Sequence, residues 1–397
     1  MTRLENVCEF IVDCPHSTAK DEGKGYPLIR TPNIGKGRLL LDCVHRVSEN
    51  VYNKRNARAI PQDDDLIFAR EAPAGNVAIV KNGEKVCLGQ RTVLLRPNKE
   101  LVNADFLTYF LLAPEQQYGL LGTANGATVA HVNIPTIRGL KINLPPLAVQ
   151  NKIAGILSAY DDMIENNRKQ IKLLEEAAQR LYKEWFVDLR FPGHETTPIV
   201  DGIPEGWAID EVAGFGEIVT GKTPSTSKEE YYGGNIPFVK IPDMHNRVFP
   251  VTTEVCLTKE GADTQKNKYI PRNSLMVSCI ATVGLVNIAL EECQTNQQIN
   301  SIILHNERDL YFLYFTLKQM KDLLDGVGSN GATMTNVNKT KFGKIPVVCP
   351  AKKVRNAFYE WCEPIFRKIE NLSRNIILLQ EVRDSLLPKL MNGEIEV

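Results

Sequence analysis

The chain repeats itself, and no other feature limits its possible folds as much. Asn125-Gly126-Ala127-Thr128, followed by Val132-Asn133, returns as Asn330-Gly331-Ala332-Thr333 followed by Val337-Asn338, an offset of 205 residues. At the same offset residues 164–181 match residues 369–386 at eight of eighteen positions. Fainter echoes keep the order: residues 27–32 with 237–242, and 66–75 with 275–284. Each copy opens with short apolar runs broken by Gly, Pro and Asn, such as Val77-Ala78-Ile79-Val80 and Thr92-Val93-Leu94-Leu95, and then turns helical. The pattern predicts an α+β protein: two similar mixed α/β modules separated by long helices that form an antiparallel coiled coil, with a pseudo-two-fold internal repeat. The boundaries fall at 1–145 for the first module, 146–190 for a central helical region, 191–350 for the second module and 351–397 for a terminal helical region. Met1 aligns with Gly206, so the sequence opens inside the first module.

In the first helical region apolar residues recur at Ile153, Leu157, Tyr160, Ile164, Ile171, Leu174, Ala178, Leu181 and Trp185, with Asn167 in one place. The second repeats this 4-3 spacing at Phe358, Cys362, Ile365, Ile369, Leu372, Ile376, Leu379, Leu386 and Leu390, interrupted by Arg383. A lone amphipathic helix would pack on its own module, but two matched stripes suit each other. Pro364 predicts a break, with the main helix starting at Ile365 and, by the repeat, a bend near Ser158 in the first copy. Phe191-Pro192-Gly193 ends the first helix.

Charge alone does not announce a nucleic-acid partner. There are 47 Lys and Arg against 47 Asp and Glu, whereas a protein that merely coats nucleic acid is basic overall. The balance is uneven: the first module is +3 and the second −4, and residues 16–58 hold nine basic against four acidic side chains. No stretch of about 18 apolar residues occurs, which predicts a cytoplasmic protein with no membrane contact. Nine scattered cysteines without a Cys-x-x-Cys pair read as reduced thiols, and Cys8, Cys14 and His16 fall short of a metal site, so neither metal nor cofactor is expected.

One catalytic motif matches literally. Gly216 to Thr223 fits the phosphate-binding pattern G-x-x-x-x-G-K-T, but Pro224-Ser225-Thr226-Ser227 follows where a long helix must begin. Asn143-Leu144-Pro145-Pro146 only approximates an amino-methyltransferase signature, and no His-Glu-x-x-His occurs. The sequence thus predicts a non-catalytic chain.

The runs Leu144-Pro145-Pro146-Leu147-Ala148-Val149-Gln150-Asn151-Lys152-Ile153, Leu181-Tyr182-Lys183-Glu184-Trp185-Phe186-Val187-Asp188, Thr220-Gly221-Lys222-Thr223-Pro224-Ser225-Thr226 and Leu386-Leu387-Pro388-Lys389-Leu390-Met391-Asn392-Gly393-Glu394-Ile395 resemble the specificity subunits of type I restriction-modification systems. The resemblance spans nearly the whole chain. It implies two target-recognition domains on double-stranded DNA, each reading one part of a bipartite, non-palindromic target, with paired helices as a ruler. It also implies two modification subunits that bring S-adenosylmethionine chemistry and restriction subunits that bring ATP-driven translocation and cleavage.

Arg, Lys, Asn and Gln in loops beside strands are the side chains suited to base edges. They make Arg30, Lys36, Arg38, Arg70 and Arg91 the candidates in the first module, and Lys240, Asn246, Arg247, Gln297 and Gln298 those in the second. The repeated Asn125/Asn330 and Thr128/Thr333 either contact phosphate or cap a turn. Trp185, Phe186, Phe191, Leu390 and Met391 concentrate apolar surface at the helix ends and are candidates for docking partner subunits, or for packing on the chain's own modules. Thermal-shift and duplex-binding assays separate the three readings. A DNA reader binds one bipartite duplex in a salt-dependent way and ignores nucleotide, a phosphate-loop hydrolase is protected by nucleotide, and a coiled-coil scaffold responds to neither.

Overall fold

The computed structural model describes residues 1–42, 44–122, 131–321, 323–324 and 337–397. They form two units, one of residues 1–163 with 379–397 and the other of residues 164–378. The first module contains β1 (Cys8–Asp13), β2 (Tyr26–Ile29), β3 (Gly37–Arg38), β4 (Leu66–Ala69), β5 (Val77–Ile79), β6 (Cys87–Leu88), β7 (Thr92–Pro97) and α1 (Ala104–Leu112), and is followed by the long α2 (Leu147–Tyr182). The second contains β8 (Gly216–Thr220), β9 (Tyr232–Val239), β10 (Leu275–Ser278), β11 (Val286–Ile288), β12 (Gln294–Thr295), β13 (Ile299–Leu304) and α3 (Leu310–Gln319), and is followed by α4 (Lys352–Met391).

The two modules share a topology. The first sheet runs β1-β7-β4-β5-β3 and the second β8-β13-β10-β11, so the four common strands stand in the same order. Beside each sheet a parallel pair recurs, β2 with β6 and β9 with β12. Successive residues explain the unbroken apolar runs of the sequence. Leu66 and Phe68 of β4 face one core cluster with Val77, Val93 and Leu95, while Ile67 and Ala69 face another with Ala78 and Leu94. A sheet buried on both faces needs no polar alternation. α1 closes the first face; the Asn103 side chain caps it by accepting from the Phe106 N–H at 2.9 Å.

Helix segments complete each core. In the first unit Ile153, Ala154 and Leu157 of α2 share a buried cluster with Leu387 and Leu390 of α4. In the second, Tyr182 and Phe186 pack on Phe358, with ring centroids 6.2 and 5.0 Å apart. Earlier in α2, Glu175 accepts from Tyr314, whose ring meets Phe366 edge-on at 5.5 Å. Residue numbers rise along α2 as they fall along α4, so the two run antiparallel within this unit.

The helix breaks expected at Pro364 and Ser158 are absent: α2 runs unbroken for 36 residues and α4 for 40. A proline removes one helical hydrogen bond, but Cys362 and Phe366 on either side of it are buried in the core and hold the helix in register. α2 passes into a single π turn at Lys183–Val187, where the Asp188 N–H reaches the Lys183 carbonyl at 2.8 Å. No helix among the described residues is long and apolar enough to cross a membrane.

The polar residue that interrupts the second seam has a partner. Arg383 Nη1 lies 2.5 Å from Asp161 Oδ1, and the other carboxylate oxygen of Asp161 accepts from the Tyr109 hydroxyl at 2.6 Å. Asp161 is 6 % exposed and Tyr109 5 %. The second unit builds the same clasp from Tyr314, Glu175 and Lys318, with contacts of 2.6 and 2.5 Å. Burial, then the neighbouring carboxylate, pushes both tyrosine hydroxyls far above their ordinary range, so they remain donors. Arg383→Met alone strands a buried carboxylate and should cost about 3–5 kcal/mol, whereas Arg383→Met with Asp161→Leu should cost much less. Chemical denaturation of the single and double variants checks this, and additive losses would mean that the two charges do not depend on each other.

Candidate nucleic-acid interface

Main-chain hydrogen bonds place the loops of the two modules on one framework. In the first, the Arg70 N–H donates to the Arg91 carbonyl at 3.0 Å, Val132 N–H to the Arg70 carbonyl at 2.9 Å, and Gly89 N–H to the Ile29 carbonyl at 2.7 Å. In the second, Cys279 N–H donates to the Gln298 carbonyl at 2.8 Å, Val337 N–H to the Cys279 carbonyl at 2.9 Å, and Asn296 N–H to the Val239 carbonyl at 3.2 Å. Arg30 therefore corresponds to Lys240, Gln90 to Gln297, Arg91 to Gln298 and Arg70 to Cys279. Four loops from distant parts of the sequence meet in each module at the ends of buried strands, a rigid mount for variable side chains.

Arg70 is a strut in this mount. Its guanidinium is 11 % exposed and reaches both Asp13 carboxylate oxygens at 3.2 and 3.3 Å, the Val132 carbonyl at 3.1 Å and His131 Nε2 at 2.8 Å. An arginine only donates, so His131 Nε2 accepts and the ring proton sits on Nδ1, 2.6 Å from Glu71 Oε1. The other Glu71 oxygen holds Arg91 Nη1 at 2.8 Å. Arg91 is 56 % exposed and takes a left-handed φ of 66°, an uncommon conformation for an arginine.

The remaining candidates scatter around these loops. Arg30 is half-buried and its Nε has no hydrogen-bond partner among the described residues. Lys36 is exposed, and Arg38 pairs with Asp162 of α2 at 2.7 Å. Lys240 pairs with Glu254 at 2.7 Å. Asn246 is exposed with φ 55°, and the exposed Arg247 donates to the Thr252 carbonyl at 3.1 Å. Gln297 accepts from the Thr223 hydroxyl at 2.8 Å, and Gln298 from the Asn296 amide at 2.9 Å. Asn125, Thr128, Asn330 and Thr333 lie outside the described residues. Sequence reasoning missed Glu71 and His131, whose role depends on contacts between distant loops. It also missed Gln90, which accepts from Thr18 at 3.2 Å much as Gln297 does from Thr223.

The phosphate-loop match dissolves into packing. Gly216 opens strand β8, and the Gly221 and Lys222 N–H groups donate to the Ile299 and Thr295 carbonyls at 3.1 and 2.9 Å rather than facing a ligand. A Cβ on Gly221 would sit 2.2 Å from the Asn296 carbonyl oxygen, so close packing of two main chains explains that glycine. Burial pushes the Cys8 thiol up to about 12 and raises Cys14 too, which disfavours the thiolate a metal needs. Among the described residues no group of three or more His, Cys, Asp or Glu is placed to hold a metal ion.

The five helix-end residues lie within the cores of their own units. Phe191 is buried against Trp207, Leu390 is buried in the first unit, and Trp185, Phe186 and Met391 are half-buried against core clusters.

Comparison with known proteins adds a family. The profile described as "Type I restriction modification DNA specificity domain" matches residues 1–176 and again 204–384. The chain is 32 % identical to the specificity subunit of the type I restriction enzyme HindI from Haemophilus influenzae, over 83 % of this chain and 86 % of that one. It is 26 % identical to the MjaIX specificity subunit of Methanocaldococcus jannaschii, over 88 % and 82 %. Its fold resembles the crystal structure of a type I restriction-modification S subunit from M. genitalium with a TM-score of 0.55 at 13 % identity, covering 98 % and 95 % of the two chains.

The loop geometry separates support from contact. Arg30→Ala and Arg91→Ala should weaken binding of the target duplex at moderate salt without lowering the melting temperature, and Arg70→Ala should lower it, because the Val132 and His131 contacts are lost and the Asp13 carboxylate keeps only His16, at 3.0 Å, among the described residues. Duplex titrations beside thermal melts check this, and unchanged binding by both the Arg30 and Arg91 variants would remove these residues from the interface.

Proposed function

Because the chain belongs to the family of type I restriction-modification DNA specificity domains, we propose that it reads a bipartite, non-palindromic duplex, one part through each module, and performs no chemistry itself. The observation that carries this reading is the duplicated loop framework with different side chains mounted on it: Arg30, Arg70 and Arg91 in one copy and Lys240, Cys279 and Gln298 in the other. One scaffold with two sets of side chains recognises two different short sequences. Arg30, Lys36, Arg38 and Arg91 of the first module and Lys240, Asn246, Arg247, Gln297 and Gln298 of the second approach the bases and phosphates, with Arg70 supporting them. Asn125, Thr128, Asn330 and Thr333 belong to the same interface by their position in the repeat.

Methylation and cleavage come from partners. Two modification subunits supply the methyl transfer and restriction subunits the ATP-dependent translocation and cutting. The modification subunits dock on the helix ends, against the outer edges of Trp185, Phe186 and Met391 that Phe191 and Leu390 buttress from within. This assembly works where DNA is, in the cytoplasm. A chain that delegates phosphate attraction to partners has no need of the net positive charge it lacks.

The long helices set the spacing between the two half-sites. Inserting one heptad at matching places in α2 and α4 lengthens each by about 10 Å and should shift the preferred spacer by about three base pairs at roughly 3.4 Å each. Methylation of duplexes with graded spacers measures the shift, and a folded variant that kept the original spacer would show that the helices are not the ruler.

A further inference from the structure

The same framework position carries Arg91 in one module and Gln298 in the other, and each side chain is steered by a neighbour that leaves one edge open. Arg91 gives Nη1 to Glu71 at 2.8 Å, while Nε and Nη2 have no partner among the described residues. Those two donors are parallel and coplanar, the arrangement that pairs with two acceptors side by side. Gln298 accepts from Asn296 Nδ2 at 2.9 Å through Oε1, which keeps a second lone pair, and its Nε2 has no partner among the described residues. That edge offers one acceptor beside one donor.

Both residues are anchored through their main chains by the same kind of contact, from the Arg70 N–H in one module and the Cys279 N–H in the other. Just before each stands a glutamine, Gln90 or Gln297, that a threonine hydroxyl ties down. Neither steering residue is repeated: Glu71 works in the first module, and Asn296 in the second stands where the first has Gly89. A carboxylate steers a cation and an amide steers an amide, so the pairing chemistry differs while the position does not.

We propose that this position is a specificity determinant read in the major groove, with Arg91 selecting a guanine in the first half-site and Gln298 an adenine in the second. Guanine presents two adjacent acceptors, O6 and N7, which match the Arg91 edge. Adenine presents the N6 donor beside the N7 acceptor, which matches the Gln298 edge. Arg91 stands in the left-handed region at φ 66°, immediately before strand β7. This inference rests on the proposal that the chain reads DNA, and it adds which base class each module requires at one place.

The test uses the chain assembled with its methylating partner subunits and a duplex library with randomised half-sites, read by sequencing the bound fraction. The wild-type complex should select a guanine in one half-site and an adenine in the other. Arg91→Gln should turn that guanine preference toward adenine, and Gln298→Arg the adenine preference toward guanine, each changing discrimination at one base pair by roughly 10- to 100-fold. Arg91→Lys keeps the charge beside Glu71 and can still reach O6 and N7 with its ammonium, so it should bind and retain a weakened guanine preference; Arg91→Met removes every donor and should lose that preference, which also serves if Arg91→Gln fails to fold. Folded variants that retain the wild-type motif overturn the inference and leave the DNA-reading proposal standing. So does a uniform loss of affinity with a salt slope reduced by about one, which marks a phosphate contact. A wild-type complex that selects no bipartite motif sinks the DNA-reading proposal and this inference together.

Discussion

A tyrosine hydroxyl held by a carboxylate of α2, buried at Asp161 and half-buried at Glu175, ties each module to its helices, and the orientation of everything mounted on the module depends on that clasp. Apolar contacts supply most of the adhesion, since Phe106, Phe110 and Leu107 in one copy and Phe312, Phe315 and Leu313 in the other are deeply buried. Apolar contact tolerates sliding, however, and a charge-assisted hydrogen bond does not. The clasp carries a cost, because two ionised groups leave water, and it returns that cost only while all three members are present. Asp161 with Tyr109 and Arg383, and Glu175 with Tyr314 and Lys318, each meet that condition.

From this anchorage the logic of the modules follows. Sheets buried on both faces fix the strand ends, the strand ends fix the loops, and main-chain hydrogen bonds between loops leave side chains as the variable. The first module devotes Asp13, Arg70, His131 and Glu71 to holding Arg91 in place. The second has a cysteine where Arg70 stands and uses a shorter link from Asn296. A shared strand order thus carries different ionic content at matching positions, Arg70 and Arg91 in one module against Cys279 and Gln298 in the other.

Much of this was legible in the sequence, and the gaps have physical causes. The offset of 205 residues exposed the duplicated module, and the 4-3 stripes exposed the long helices, because both depend on local periodicity. Pro364 misled because a helix rule for isolated segments gave way to packing on both sides of the proline. Tyr109 and Tyr314 are related by the repeat, but Asp161 and Glu175 are not: both belong to α2. No alignment of one half on the other could pair them. Arg91 and Gln298 likewise sit 207 apart rather than 205, since the intervening loops differ in length, and only the main-chain bonds bring them into register. Arg70 looked like a reader of bases by residue type and turned out to be occupied on nearly every donor.

Asp161 and Glu175 are fourteen residues apart, two heptads on one helix. The phase of a helix advances about 100° per residue, so seven residues bring the second carboxylate back to within about 20° of its original bearing, while one residue swings it far to the side. Length changes between the two clasps are therefore not continuous. Only insertions close to whole heptads leave both carboxylates on one face of α2, so the lengths this helix can take without turning one anchor away from the other form a discrete ladder set by the helical screw.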